Sequence, residues 1–199
     1  MNKAMISKKY GNRESGGLAA SADLAKAYHD VVDFTLGDPD LTTPAAIIRA
    51  AAEDALAGHT HYTDSRGDGE LIAAIVDFQK ETYGVELSPE NVFVTTSACH
   101  GMWLVLETMI DEGDEVMIIE PYFAPYADQV KMAGGVPVFI PTDPDEDFRP
   151  NMDVIRKKVT EKTKALIVNT PNNPSGLCLK KEELVALGQL AEEKNFYLI

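Results

Sequence analysis

The second half of the chain alternates short apolar runs with segments of helical periodicity. This alternation is typical of strands joined by crossover helices in a mostly parallel sheet, because strands covered on both faces read as continuous apolar runs. The predicted strands are Val92–Ser97, Glu115–Glu120, Val136–Pro141, Ala165–Thr170 and Phe196–Ile199. The predicted helices between them are Ala98–Ile110, Tyr122–Met132, Met152–Lys158 and Lys181–Lys194. The pattern predicts an α/β fold with helices on both faces of the sheet.

The first half of the chain follows a different pattern. Helical spacing of apolar residues predicts a helix at Pro44–Ala57, with Thr43 as its N-cap and proline at its first position, and another at Asp68–Tyr83. Upstream, a polar arm is followed by a short predicted helix at Ala19–Tyr28 and an extended piece at Val31–Thr35.

The formal net charge of -14 argues against nucleic acid and anionic membrane surfaces as partners, because both are polyanions. No apolar run approaches the roughly 18 residues of a membrane helix, and the N-terminus has no apolar signal segment. The two cysteines lie far apart, which fits a reducing, cytoplasmic compartment. Because the chain ends on the apolar run Phe196–Ile199, we expect it to be the N-terminal portion of a longer protein.

Three segments that follow predicted strands carry residues suited to ligand binding. They are Ser97–Gly101, Pro121–Phe123 and Asn169–Gly176. Ligands of open α/β sheets bind beyond the carboxyl ends of the strands, so a parallel sheet brings these segments to one edge. They supply a helix N-terminus suited to a phosphate, an aromatic ring that can stack on a flat ligand, and an amide fixed by prolines.

Each segment also has a plainer interpretation. Ser97 is a good N-cap with or without a ligand, Phe123 could be a core residue, and Asn173 could serve the turn alone. A metal site is not predicted, because His59 and His61 lack Cys or His partners at ligand spacing.

Five motifs together carry a family resemblance. They are GDPDLTTP, HYTDSRG, VTTSACHG, GDEVMIIEPYFAPY and NTPNNPSG. Their order and spacing resemble class I/II aminotransferases, which are fold-type I enzymes that use pyridoxal 5'-phosphate. The resemblance runs from about Asp33 to Ile199 and implies a partial three-layer α/β/α large domain. It implies that residues 1–43 form an N-terminal arm and small-domain segment, and residues 44–199 part of the large cofactor domain.

The resemblance implies roles for the residues that would hold the cofactor. Ser97, Ala98 and Cys99 fall on the turn that cradles the phosphate in this family. Phe123 falls where an aromatic ring stacks on the pyridine, although tryptophan or tyrosine is commoner there. Asn173 falls on the asparagine that hydrogen-bonds the phenolic oxygen of the cofactor.

Two further residues are implied in substrate binding and assembly. Gly37 resembles the loop glycine that lines the substrate carboxylate site. Tyr62 resembles the tyrosine that reaches across a homodimer interface to the phosphate of the neighbouring cofactor. The implied reaction is transamination between an amino acid and a 2-oxo acid. A carbon–sulfur lyase on the same fold, a regulatory module that binds the cofactor without catalysis, and a catalytically dead interaction domain remain alternatives.

The resemblance also implies residues that this chain does not contain. The family's aspartate for the pyridinium nitrogen, its Schiff-base lysine and its carboxylate-binding arginine are all expected after Ile199. The family sheet further places its first strand beside two strands that come latest in sequence. We therefore expect Val92–Ser97 to be separated from the other four strands.

We predict that the purified chain of 199 residues has no transaminase activity, because it lacks the lysine that bonds the cofactor and the aspartate that strengthens its electron sink. A coupled assay of 2-oxo acid formation with a panel of amino acids checks this. Turnover above the rate of free cofactor would contradict it.

Overall fold

A computed structural model describes residues 24–32, 37 and 39–199. The chain divides into two compact units, one ending at Thr95 and the other spanning Thr96–Ile199. The first unit contains helices α1 (Ala45–Leu56) and α2 (Gly69–Tyr83), followed by a 3-10 turn at Pro89–Asn91. The backbone N–H groups of the first turn of α2 donate to the side chain of Asp68, which is the N-cap.

Two predictions in the first unit are wrong. The N-cap of α1 is Pro44 rather than Thr43, and no side chain caps this helix. Val92–Ser97 is not a strand, although Val92 has extended backbone angles. A strand needs a neighbouring ladder, and here the Val94 N–H donates instead to the backbone oxygen of Arg66, while the Arg66 guanidinium donates to the oxygen of Val92. The four-stranded sheet of the second unit does not include this segment, and its predicted place relative to that sheet stays a prediction.

Little of the N-terminal prediction falls within the described residues. Of the predicted helix Ala19–Tyr28, only residues 24 and 25 are helical before a turn begins, and residues 19–23 lie outside the described part. Of the predicted extended piece Val31–Thr35, residues 31 and 32 have no regular structure, and residues 33–35 again lie outside it.

The second unit is built on a parallel sheet. Its strands are β1 (Glu115–Ile119), β2 (Val136–Ile140), β3 (Thr163–Ile167) and β4 (Tyr197–Leu198), in the spatial order β2-β1-β3-β4. All three pairings are parallel. The connecting helices are α3 (Ala98–Met109) before β1, α4 (Pro125–Met132), α5 (Met152–Lys158) and α6 (Lys181–Lys194).

Alternate residues of the strands enter two separate cores. Val116 and Ile118 of β1 pack with Leu106 of α3 and Val130 of α4. Met117, between them, packs on the other face with residues from α5 and α6. The period of two along β1 thus fills both faces of the sheet. The second unit is a three-layer α/β/α arrangement, which confirms the predicted fold class.

The elements predicted after Ser97 agree with the structure except at some boundaries. Helix α4 begins at Pro125 rather than Tyr122, because proline suits the first turn of a helix and the chain before it forms a loop. Strand β3 begins at Thr163 and ends at Ile167, so Asn169 and Thr170 belong to the following turn. The domain division between residues 43 and 44 concerns the intact family protein and stays a prediction.

An ion pair joins the loop before α5 to the first turn of α6. The Arg149 guanidinium donates to both carboxylate oxygens of Glu183 at 3.0 Å, with side-chain exposures of 32% and 20%. The Glu183 carboxylate also accepts from the backbone N–H of Lys180 at 2.6 Å. Burial alone would raise the pKa of Glu183, but the Lys180 hydrogen bond and the Arg149 ion pair outweigh it and hold that pKa below its ordinary value.

We predict that Glu183→Gln lowers the free energy of unfolding at pH 7 by about 1 kcal/mol more than the control Glu182→Gln, which removes an exposed charge from the same helical turn. Because the folded pKa of Glu183 is depressed, its stabilising contribution is present above the unfolded pKa and is lost as the pH falls through the folded pKa. Urea unfolding across pH 3 to 7 checks this. A difference between the two variants that does not shrink toward low pH would contradict it.

Candidate functional site

The first turn of α3 is exposed and capped. Ser97 is the N-cap, and its side chain accepts a hydrogen bond from the backbone N–H of His100 at 3.1 Å. Ser97, Ala98 and Cys99 are all exposed. The helix has 12 residues, so its dipole and its first free N–H groups favour an anion at this end.

The two aromatic residues after β1 have different surroundings. Tyr122 stacks on Phe139 of β2, with ring centroids 5.4 Å apart and an interplanar angle of 15°, so it belongs to the core. Phe123 is half-buried and meets the ring of Tyr126 edge to face, at 5.5 Å and 79°. The structure therefore separates a core ring from a ring at the start of α4.

The turn after β3 is held by two of its three asparagines. The Asn169 side chain donates to the oxygen of Pro171 and accepts from the backbone N–H of Asn173, at 3.1 and 2.8 Å. The Asn172 side chain accepts from the N–H and the hydroxyl of Ser175, at 3.1 and 2.7 Å. These bonds fix the backbone of the turn, so asparagine is needed at both positions for structure alone.

The third asparagine differs from the other two. Asn173 is exposed, and within the described part of the chain its side-chain amide makes no hydrogen bond. Its backbone N–H, by contrast, is held by Asn169. The turn therefore presents a side-chain amide on a fixed backbone, and turn chemistry does not explain that amide.

The segment from Pro121 to Gln129 contacts both of the other segments. The Asn172 amide donates to the oxygen of Pro121 at 3.2 Å, which attaches the asparagine turn to the loop after β1. The Gln129 amide donates to the oxygen of Cys99 at 2.9 Å, which attaches α4 to the first turn of α3. The loop segments predicted to hold a ligand are thus joined through α4 and the loop before it.

The sequence did not predict that the side chains of Asn172 and Gln129 would form these hydrogen bonds. Burial raises the pKa of Tyr126, and the electrostatic effect of Cys99 raises it further. The repeated asparagine in NTPNNPSG marks Asn172 as a turn residue, but a single sequence gives no signal for Gln129, because its partner is 30 positions away.

A concavity opens below the asparagine turn. Its lining includes Glu120, Tyr122, Tyr126, Phe148, Asn169 and Asn172. Phe123 and Asn173 do not line it. Asn173 therefore lies outside this concavity on the exposed surface of the turn, and Phe123 lies outside it in the loop before α4.

Gly37 and Tyr62 belong to the first unit. Among the described residues, leaving out its chain neighbours, none has a heavy atom within 4 Å of the position a Cβ would take on Gly37, and Tyr62 is completely exposed. Their predicted relation to the site in the second unit stays a prediction.

Two further features are absent from the described residues. No group of three or more His, Cys, Asp or Glu side chains there could hold a metal ion. No helix in that part of the chain is long and apolar enough to cross a membrane.

Comparison with known proteins gives consistent matches. The family model "Aminotransferase class I and II" matches residues 29–199. The chain is 38% identical over 181 residues to an aspartate aminotransferase of Bacillus subtilis, covering 91% of this chain and 46% of that protein. It is 36% identical to a probable aspartate/prephenate aminotransferase of Thermus aquaticus, covering 91% and 47%. The chain therefore spans about half the length of the curated relatives it matches.

Solved structures give the same result. An aspartate aminotransferase from Thermus thermophilus with maleate superposes with a TM-score of 0.89 at 34% identity, covering 97% of this chain and 52% of that one. An alanine aminotransferase from Pyrococcus furiosus superposes with a TM-score of 0.89 at 34% identity, covering 97% and 51%.

We predict that Asn172→Ala lowers the free energy of unfolding by about 1–2 kcal/mol, because it removes bonds to Pro121 and Ser175. The matched substitution Asn173→Ala should change it by less than about 0.5 kcal/mol, because it removes an exposed amide without a protein partner in the described chain. Urea unfolding of both variants checks this. Equal losses would mean that the Asn173 side chain holds the turn.

Proposed function

The chain belongs to the class I and II aminotransferase family, and from that premise we propose that the full-length protein transfers an amino group between an amino acid and a 2-oxo acid. Members of this family use pyridoxal 5'-phosphate, which supplies an electron sink for the bonds at the amino acid's Cα. The chain would contribute part of the cofactor site. The observation that carries this proposal is that the exposed side-chain amide of Asn173 takes no part in the hydrogen bonds that fix its turn among the described residues.

The described residues fit the cofactor's phosphate and ring. Ser97, Ala98 and Cys99 would hold the phosphate, because they stand at the exposed N-terminus of a 12-residue helix. The Phe123 ring would stack on the pyridine, since it is half-buried and packs on Tyr126 alone among the described aromatic rings. The Asn173 amide would donate to the phenolic oxygen and orient the ring.

The first unit would contribute to the substrate and to a second subunit. We propose that Gly37 lines the substrate carboxylate site, and the open space around its Cα supports this. We propose a homodimer in which Tyr62 reaches the phosphate of the neighbouring cofactor. A fully exposed tyrosine favours an interface, because it offers a large apolar ring with a polar end.

The family supports a class of substrate, and the cysteines support a cellular compartment. The relatives are named for aspartate, prephenate and alanine, so we propose an amino acid and a 2-oxo acid as substrates without choosing among them. The two cysteines are free and exposed, which supports a reducing, cytoplasmic location. The net charge of -14 supports partners other than nucleic acid or membrane.

We predict that the chain binds 4'-deoxypyridoxine 5'-phosphate, a cofactor analogue without the aldehyde, and that Asn173→Ala raises its dissociation constant about tenfold through loss of one hydrogen bond to a charged oxygen. The analogue cannot form imines with surface lysines, so titration by intrinsic fluorescence or calorimetry reports the site alone. Lys131→Gln, an exposed change on α4, should leave the constant within about twofold. No binding by the wild-type chain, or equal binding by wild type and Asn173→Ala, would contradict the proposed site.

A further inference from the structure

Helix α4 and the loop before it carry a stripe of three side chains spaced three positions apart: Phe123, Tyr126 and Gln129. Residues at this spacing share one side of a helical segment. The backbone N–H of Tyr126 donates to the oxygen of Phe123 at 3.0 Å, and their rings meet edge to face at 5.5 Å. The stripe thus begins at the ring proposed to face the cofactor.

The other end of the stripe touches the proposed phosphate turn. The Gln129 amide nitrogen lies 2.9 Å from the oxygen of Cys99 and 3.2 Å from its sulfur. A backbone oxygen is an acceptor only, so this contact fixes which end of the amide faces α3.

The Gln129 amide is an unfavourable choice for stability alone. Gln129 is 8% exposed, and its side-chain oxygen has no hydrogen-bond partner among the described residues. A buried acceptor without a partner costs about 1–3 kcal/mol. The carbonyl of Cys99 stands in the first turn of α3, where the helix's own ladder already provides a donor. The helix can therefore form without Gln129, and its amide has another role.

We propose that Gln129 is a positioning residue that fixes the first turn of α3 against α4. One short helix then sets the distance between the phosphate-binding turn and the ring of Phe123, so the two ends of the cofactor are held by a common scaffold. This role rests on the proposed function, since it assigns the phosphate to Ser97–Cys99. It adds a residue that touches neither phosphate nor ring.

The test uses the full chain with two ligands, 4'-deoxypyridoxine 5'-phosphate and 4'-deoxypyridoxine, which differ only in the phosphate. Gln129→Met keeps the length of the side chain and removes the amide, while Gln129→Glu keeps the length and an acceptor but loses the donor and adds a negative charge. Gln189→Met is the matched control, because it makes the same change at an exposed position of α6.

The ratio that we use is the dissociation constant of 4'-deoxypyridoxine divided by that of its 5'-phosphate. In Gln129→Met, we expect this ratio to fall about tenfold, because only the phosphate-bearing ligand depends on the first turn of α3. Gln129→Glu should lose more, since its charge repels the phosphate. Thermal stability of Gln129→Met should stay equal or rise, because a buried unpaired oxygen is removed. The control should match wild type in ratio. An unchanged ratio in Gln129→Met would overturn the proposal, even if overall affinity falls and even if the charge of Gln129→Glu lowers the ratio.

A second measurement separates failure of this role from failure of the proposed function. Hydrogen exchange of the His100 and Gly101 amides, which donate to the side chain and the backbone oxygen of Ser97, needs no ligand. If wild type binds neither ligand, the proposed cofactor site fails, and exchange alone decides on Gln129. Faster exchange in Gln129→Met than in Gln189→Met supports the positioning role, and equal exchange overturns it.

Discussion

Parallel pairing of β1 with β2 on one side and β3 on the other is the constraint on which the second unit depends. It fixes which residues of β1 enter each core, because a shift of one position would exchange Val116 and Ile118 with Met117. It also makes the carboxyl ends of β1 and β3 neighbours at one edge of the sheet. The loops that leave these ends are close enough for the Asn172 amide to reach Pro121 at 3.2 Å.

Within that edge the polar side chains divide into two kinds. The side chains of Asn169 and Asn172 form hydrogen bonds with the backbone of their own turn and of the loop beside it. The side-chain amide of Asn173 lies outside this network, and the residues of the first turn of α3 are exposed. A rigid frame that holds a few unused polar groups is what a binding site requires, because the entropy of ordering those groups is lost on folding rather than on binding.

The helices of the first unit bury few of their residues. Helix α1 buries none of its residues, and among the residues of α2 only Ile72 is buried. The two core clusters of buried residues both lie in the second unit. Val92–Ser97 shows the same contrast: its apolar composition suits a strand, yet its described backbone bonds include those to Arg66 and Pro89 and form no ladder. Apolar pattern indicates the tendency to pair, but a strand exists only where a neighbour supplies the second half of each hydrogen bond.

The amino-acid sequence by itself determined the elements of the second unit, the asparagine–proline turn and the family, because hydrophobic period, proline and turn chemistry act over a few neighbouring residues. The order β2-β1-β3-β4, the start of α4 at Pro125 and the failure of Val92–Ser97 to pair were decided by tertiary structure. So were the separate roles of Asn172 and Asn173 and the contact of Gln129 with Cys99. These depend on hydrogen-bond partners far away along the chain, and which partner comes within reach is set only once the sheet has placed its loops.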